Sequence, residues 1–169
     1  EDAAVINRGV ITVAEAGLVS FVAPNVANEG FITARLGTVS LAAGDRFTLD
    51  FFGDGLVVFS PDIPSGMNTG SVNVTGPILA EGGVIRLSAT DAVEFIETVI
   101  NVEADLVARS ARRQGGKIIL DGVESTTVNI DAKLDASGAD GGASSIVANE
   151  IFIAAGAELS ADGLAPPEG

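Results

Sequence analysis

Along much of the chain apolar and polar positions alternate. Val10 and Thr12, Leu18 and Ser20, the run Val39, Ser40 and Leu41, and the run Phe47, Thr48 and Leu49 all show it. Successive side chains of a strand point to opposite faces, so such runs mark short strands with one buried face. No window sustains helical spacing with helix caps at its ends. The pattern also recurs. Residues 5–21 read VINRGVITVAEAGLVSF and residues 26–41 read VANEGFITARLGTVSL. Val5-Ile6-Asn7 matches Val26-Ala27-Asn28, Gly9 matches Gly30, and Ile11-Thr12 matches Ile32-Thr33, all 21 residues apart, while Gly17 and Gly37 are 20 apart. A weaker copy, VINVEADLVA, occupies 99–108, and shorter echoes are GPILA at 76–80, AKLDA at 132–136 and AELSA at 157–161.

A repeat of about 20–28 residues holding two or three short strands is one coil of a β-solenoid. One coil cannot bury its own apolar face, but stacked coils share a continuous core. The expectation is a single all-β domain over residues 1–169, with roughly seven coils rising about 4.8 Å each into a rod some 35 Å long. Other repeat architectures fit less well. A leucine-rich repeat needs L-x-x-L-x-L with a helical segment, a sandwich carries no such echo, and a propeller blade needs about twice the length.

Equivalent positions in a parallel solenoid lie above one another, so the spacing predicts that Asn7 stacks on Asn28 in an amide ladder beside the turn glycines Gly9 and Gly30. Asn also tolerates the left-handed backbone of a coil corner. The competing reading makes both solvated turn residues. The same register sets Arg8 over Glu29 as an exposed ion pair.

Composition narrows the picture. Apolar residues make up 47% of the 169-residue chain, with 8 Phe and no Trp or Tyr, so the core must be aliphatic. The 21 Gly are spread throughout, as many tight turns require. Lys plus Arg number 9 against 23 Asp plus Glu, a net charge of −14. Phosphate backbones and anionic membranes repel such a chain, so neither nucleic acid nor membrane insertion is expected. With no Cys there is no disulfide, thiolate metal site or thiol nucleophile, and with no His no Ser-His pair. The chain opens on Glu1-Asp2-Ala3-Ala4, without a signal peptide or membrane-spanning run, and its start inside a repeat suggests a piece excised from a longer exported protein.

The runs VINRGVIT, GTVSLAAGDRFTLDFFGDGL (37–56), GGKIILDG (115–122) and Ala136-Ser137-Gly138-Ala139-Asp140-Gly141-Gly142 resemble filamentous haemagglutinin-like exoproteins, the large passengers of two-partner secretion in Gram-negative bacteria. The segment from Leu41 to Leu56 is the most specific part, and the resemblance extends through nearly the whole chain. It implies a right-handed parallel β-helix, secreted through an outer-membrane β-barrel partner and displayed on the cell surface as an adhesin. The family's far N-terminal secretion motifs are not visible.

Chemistry is weighed against this architecture. Asp50 and Asp54 flank Phe51-Phe52-Gly53 and Asp45 precedes Arg46, and two such carboxylates could form a pair for glycoside hydrolysis, as in glycan-processing β-helices. Turn chemistry explains Gly44-Asp45 and Gly53-Asp54-Gly55 more simply, with Asp54 and Gly55 as turn residues. Residues 131–142 and Asp162-Gly163 are rich in Asp and Gly but lack tandem calcium repeats and the EF-hand spacing. Arg109, Arg112, Arg113 and Lys117 form a basic cluster, read either as a patch for an acidic glycan or protein partner or as a solvated loop balanced by Glu103, Asp105 and Asp121. Phe47, Phe51, Phe52 and Phe59 are read as core or edge cover. The expectation is a non-enzymatic structural and adhesive segment without cofactor or metal, whose bare coil ends invite end-to-end self-association. The alternative is a glycan-binding or glycan-processing β-helix of the pectin-lyase type.

Overall fold

A computed structural model describes residues 3–44, 47–49, 57–59, 69–89, 97–111, 115–123 and 125–163. Among the described residues every regular element is a strand, and the chain winds through them coil by coil. The first coil holds β1 (Ala4–Asn7), β2 (Val10–Thr12) and β3 (Leu18–Ala23). The second holds β4 (Asn25–Asn28), β5 (Phe31–Thr33) and β6 (Thr38–Ala43). An antiparallel pair follows, β7 (Phe47–Leu49) with β8 (Val57–Phe59). The third coil is β9 (Thr69–Val74), β10 (Ile78–Leu79) and β11 (Val84–Ala89). The fourth is β12 (Glu97–Val102), β13 (Leu106–Val107) and β14 (Lys117–Gly122). The fifth is β15 (Thr126–Ile130), β16 (Lys133–Asp135) and β17 (Ala143–Val147). The sixth contributes β18 (Glu150–Ile153) and β19 (Glu158–Ser160).

The coils stack into three parallel sheets, with strand orders β1-β4-β9-β12-β15-β18, β2-β5-β10-β13-β16-β19 and β3-β6-β11-β14-β17. This is the solenoid arrangement that the 21-residue echo predicts. In-register pairing makes each inward position a column along the axis. In the first sheet the column is Val5, Val26, Val72, Ile100, Val128 and Ile151. In the second it is Ile11, Ile32, Ile78, Leu106, Leu134 and Leu159. In the third it is Phe21, Leu41, Leu87, Leu120 and Ile146. Nearly all members of the middle coils are fully buried. Each such side chain contributes about 1.5–3 kcal/mol by leaving water, and no single coil could bury its own.

The glycine echo has a steric cause. Thr38, Val84 and Lys117 each donate a backbone N–H to the carbonyl of Gly17, Gly37 and Gly83 respectively, every bond 2.9 Å long. A Cβ on Gly37 would collide with the Gly17 carbonyl oxygen, and one on Gly83 with the Gly37 oxygen. Only a residue without a side chain lets the coils close at this corner.

Two expectations need correcting. The described residues make six coils where about seven are expected, the last with two strands, because equivalent residues of the second and third coils lie 46 apart instead of 21. Five steps of about 4.8 Å give a stack about 24 Å high. The second correction concerns the copy at 99–108. Matching Val99-Ile100-Asn101 to Val5-Ile6-Asn7 would turn Asn101 inward, whereas Ile100 occupies the column of Val5 and Val102 that of Asn7. A slip of one residue moves a side chain to the other face of its sheet, and Asn101 points out.

Candidate functional site

The polar side chains with the best-defined geometry lie in lines along the axis. The first line is inside. Asn7 and Asn28 are the last inward residues of β1 and β4, and both are buried. Asn7 Nδ2 donates to Asn28 Oδ1 at 2.8 Å. Asn28 Nδ2 passes the chain on, donating to the Gly76 carbonyl in the third coil at 2.7 Å and to Gly30 O at 3.2 Å. Asn7 Oδ1 accepts the Gly9 N–H at 3.0 Å, which closes a local Asx turn. Gly30 must be glycine here, since a Cβ would stand 2.9 Å from Asn7 Nδ2 and would collide with the Gly9 carbonyl oxygen. One residue along, Arg8 Nε meets Glu29 Oε2 at 2.8 Å and Arg8 Nη2 meets Oε1 at 3.3 Å, a forked pair in solvent.

The second line is outside. Two outward columns cross the middle of the first sheet, Asn25–Ser71–Val99–Thr127 and Ala27–Asn73–Asn101–Asn129. Asn129 Nδ2 donates to Asn101 Oδ1 at 2.8 Å, Asn101 Nδ2 to Asn73 Oδ1 at 2.7 Å, and Asn73 Nδ2 to Ser71 Oγ at 3.1 Å. Ser71 Oγ then donates to Asn25 Oδ1 at 2.9 Å. Sequence reasoning missed this ladder, although its signal is plain: Asn73, Asn101 and Asn129 recur at intervals of 28. The same interval brings the buried hydroxyls of Thr98 and Thr126 within 2.6 Å.

The third line is ionic. Backbone bonds stack Arg35 between Glu81 on one side and the Glu15–Ala16 corner on the other, and the Glu81–Gly82 corner on Arg109. Arg35 Nη1 lies 2.9 Å from Glu15 Oε1, and its Nε 3.9 Å from Glu81 Oε2. Glu81 adds to the field that raises the pKa of Arg109, after the larger effect of Asp135. Arg109 Nη2 lies 2.6 Å from Asp135 Oδ2. Charges therefore alternate along the axis from Glu15 to Asp135.

Asp135 ends this line as a buried carboxylate with a side chain 2% exposed. Burial alone would raise its pKa. The opposing hydrogen bonds from Arg109 and from the Ser137 hydroxyl and N–H, with the Arg109 charge, prevail and hold the carboxyl well below the usual range. The Ser137 N–H donates to Asp135 Oδ1 at 3.0 Å and Ser160 Oγ at 3.2 Å.

Of the basic cluster, the described residues include Arg109 and Lys117. Arg109 is paired to Asp135, rather than balanced by Glu103, Asp105 or Asp121. Asp121 instead accepts from Arg86 at 2.6 Å, and Asp105 from the Lys133 N–H at 3.2 Å. Lys117 is exposed at the start of β14, and Arg112 and Arg113 lie outside the described residues. So do Asp45, Asp50, Asp54, Gly55, Phe51 and Phe52, while Phe47 and Phe59 pair across the β7–β8 ladder. Within 131–142 the described carboxylates do not converge, and no group of three or more acidic side chains stands ready for a metal among the described residues. A shallow open hollow beside β17 is lined by Gly122, Val123, Val147, Ala148 and Asn149, without an ionisable side chain.

What these lines can do is mechanical. Many of these side chains bond or pair with a neighbour one coil away, and so reinforce the backbone ladders along the axis. No protein-family model matches the chain, and no curated protein or solved structure is significantly similar to it.

Proposed function

We propose that the chain is a segment of a secreted, surface-displayed rod of the filamentous haemagglutinin type, whose work is reach, display and contact. The observation that carries this reading is the continuity of the axial lines: three backbone sheets, an inner and an outer amide ladder, and an alternating ionic line run along one axis. Polar side chains paired in this way stiffen a rod and are unavailable as acids, bases or nucleophiles. The proposal includes export through an outer-membrane β-barrel partner and contact with a glycan or protein on another cell. It also includes end-to-end self-association, as an exposed strand edge invites.

Adhesion is tested directly. Beads coated with the chain should attach to animal epithelial cells well above beads coated with an unrelated protein of equal negative charge. Equal attachment overturns the contact role. Turnover of pectin or hyaluronan in proportion to added protein would favour a glycan-processing enzyme instead.

A further inference from the structure

The outer face of the first sheet differs from the rest of the surface. The two outward columns between β4 and β15 contain no charged residue in a chain of net charge −14; the first charge beyond them is the exposed Glu150 of β18, opposite Thr127. In the ladder each of Asn73 and Asn101 donates one N–H and accepts one hydrogen bond. An Asn side chain has two N–H groups and two acceptor lone pairs. One donor and one acceptor site per amide therefore remain for a partner outside, repeating at the coil rise of about 4.8 Å. The same column ends on Phe152, which stacks on Asn129 and is 57% exposed.

We propose that this face binds a neutral, linear polysaccharide, whose hydroxyls bridge successive amides and one of whose sugar rings stacks on Phe152. This deepens the adhesive-rod reading and rests on it. Neutrality follows from charge: the molecule as a whole repels polyanions, and between β4 and β15 the strip offers no carboxylate to a cation. Linearity follows from the repeat, because a ladder of identical donors and acceptors fits a polymer of regularly spaced hydroxyls. An exposed aromatic ring beside amides offers the two contacts that a sugar can use, through its C–H face and its hydroxyl edge.

The whole chain is mixed with cellulose, laminarin and mannan, with polygalacturonate as the acidic comparator, at low and high salt. Retention on at least one neutral glycan, unchanged by salt, is expected, since no ion pair is involved. Thr127→Lys leaves every ladder hydrogen bond in place but puts a charge on the strip; it should weaken binding about tenfold, the equivalent of one good interaction. Asn101→Asp and Phe152→Ala should weaken it as well, and Arg86→Ala on the third sheet should not. Circular dichroism of each variant must match the parent. The proposal is overturned by no retention on any neutral glycan, by salt-sensitive binding to polygalacturonate alone, or by full binding of Thr127→Lys. It is also overturned by a dimer that Thr127→Lys dissolves while no glycan binds, which would assign the strip to a second copy. If coated beads adhere to cells while every neutral glycan fails, the rod reading stands and this ligand falls.

Discussion

The inner corner at the end of the first sheet is built in two ways. In the first two coils it holds Asn7 and Asn28, and in the third to fifth it holds Val74, Val102 and Ile130 in the same column. Asparagine does not vanish from the later coils; it moves one residue back, to Asn73, Asn101 and Asn129, and so to the outer face. A buried amide is tolerated only where each polar group finds a partner. Asn28 meets that condition because the Gly76 carbonyl lies within reach of its Nδ2. Beyond that carbonyl the corner becomes apolar. The two ladders are alike in chemistry and differ in what breaking them costs. Outside, water replaces a lost partner, and a link is worth about 0.5–1.5 kcal/mol. Inside, the orphaned group keeps its desolvation penalty.

The largest expected effect comes from moving the amide to where no partner waits. Val102→Asn places it between Val74 and Ile130. The loss of a buried aliphatic side chain and the unpaired amide together should destabilise by about 3 kcal/mol or more, read from urea melts. A loss below about 1 kcal/mol would mean that this corner tolerates polarity and the contrast is false.

Next comes the reverse exchange. Asn28→Val gives the second coil the apolar corner of the third but strands Asn7 Nδ2, and should cost about 1–3 kcal/mol. The double variant Asn7→Val/Asn28→Val removes donor and acceptor together. Its cost should fall short of the sum of the two single costs by about 1 kcal/mol. Simple additivity in the melts would show that the two amides do not depend on each other.

Much of the fold is legible in the sequence because the first two coils carry no insertion. Val5-x-Asn7 and Val26-x-Asn28 keep their spacing through Gly9 and Gly30, so the stacked contact can be read from spacing alone. The echoes GPILA, AKLDA and AELSA coincide with β10, β16 and β19 because each carries the Leu or Ile of one inward column with Ala two residues later. Legibility fails where the register is ambiguous. The triplet Val-Ile-Asn at 99–101 copies 5–7 in letters but not in phase, and only the pairing of Ile100 with Val72 resolves it. The partner of Arg109 was hidden for another reason. Asp135 lies 26 residues away, on the next coil, and nothing in its local sequence marks a buried carboxylate.

That carboxylate gives a pH dependence. The folded-state pKa of Asp135 lies below the unfolded value of about 3.9. Its ion pair therefore stabilises the fold fully above that value, and the stabilisation is lost as pH falls below it. Asp135→Asn should lower the melting temperature at neutral pH and flatten its decline between about pH 4 and pH 2. Parallel declines of parent and variant would place the acid sensitivity in other carboxylates.

The smallest effect belongs to Arg8, although its bond to Glu29 looks as good as any in the molecule. The fork is 2.8 Å and 3.3 Å long and joins the same two coils as Asn7 and Asn28. The Arg8 side chain is 71% exposed, however, against 8% for Asn7 as a whole residue. In water both charges keep most of their hydration when separated, and holding two long side chains in one geometry costs entropy. The Arg8 pKa is raised by the hydrogen bond and then the charge of Glu29, which shows that the pair forms without showing that it stabilises the fold. Arg8→Ala should leave the melting temperature within measurement error of the parent at moderate salt. Any difference at low ionic strength should disappear near 1 M salt, where the screening length is about 3 Å. Asn28→Val should keep its full penalty under the same salt, because its partner is buried. If Arg8→Ala proved as damaging as Asn28→Val, and equally indifferent to salt, then packing of the arginine stem over the first coil, rather than burial of the amide, would be what secures this corner.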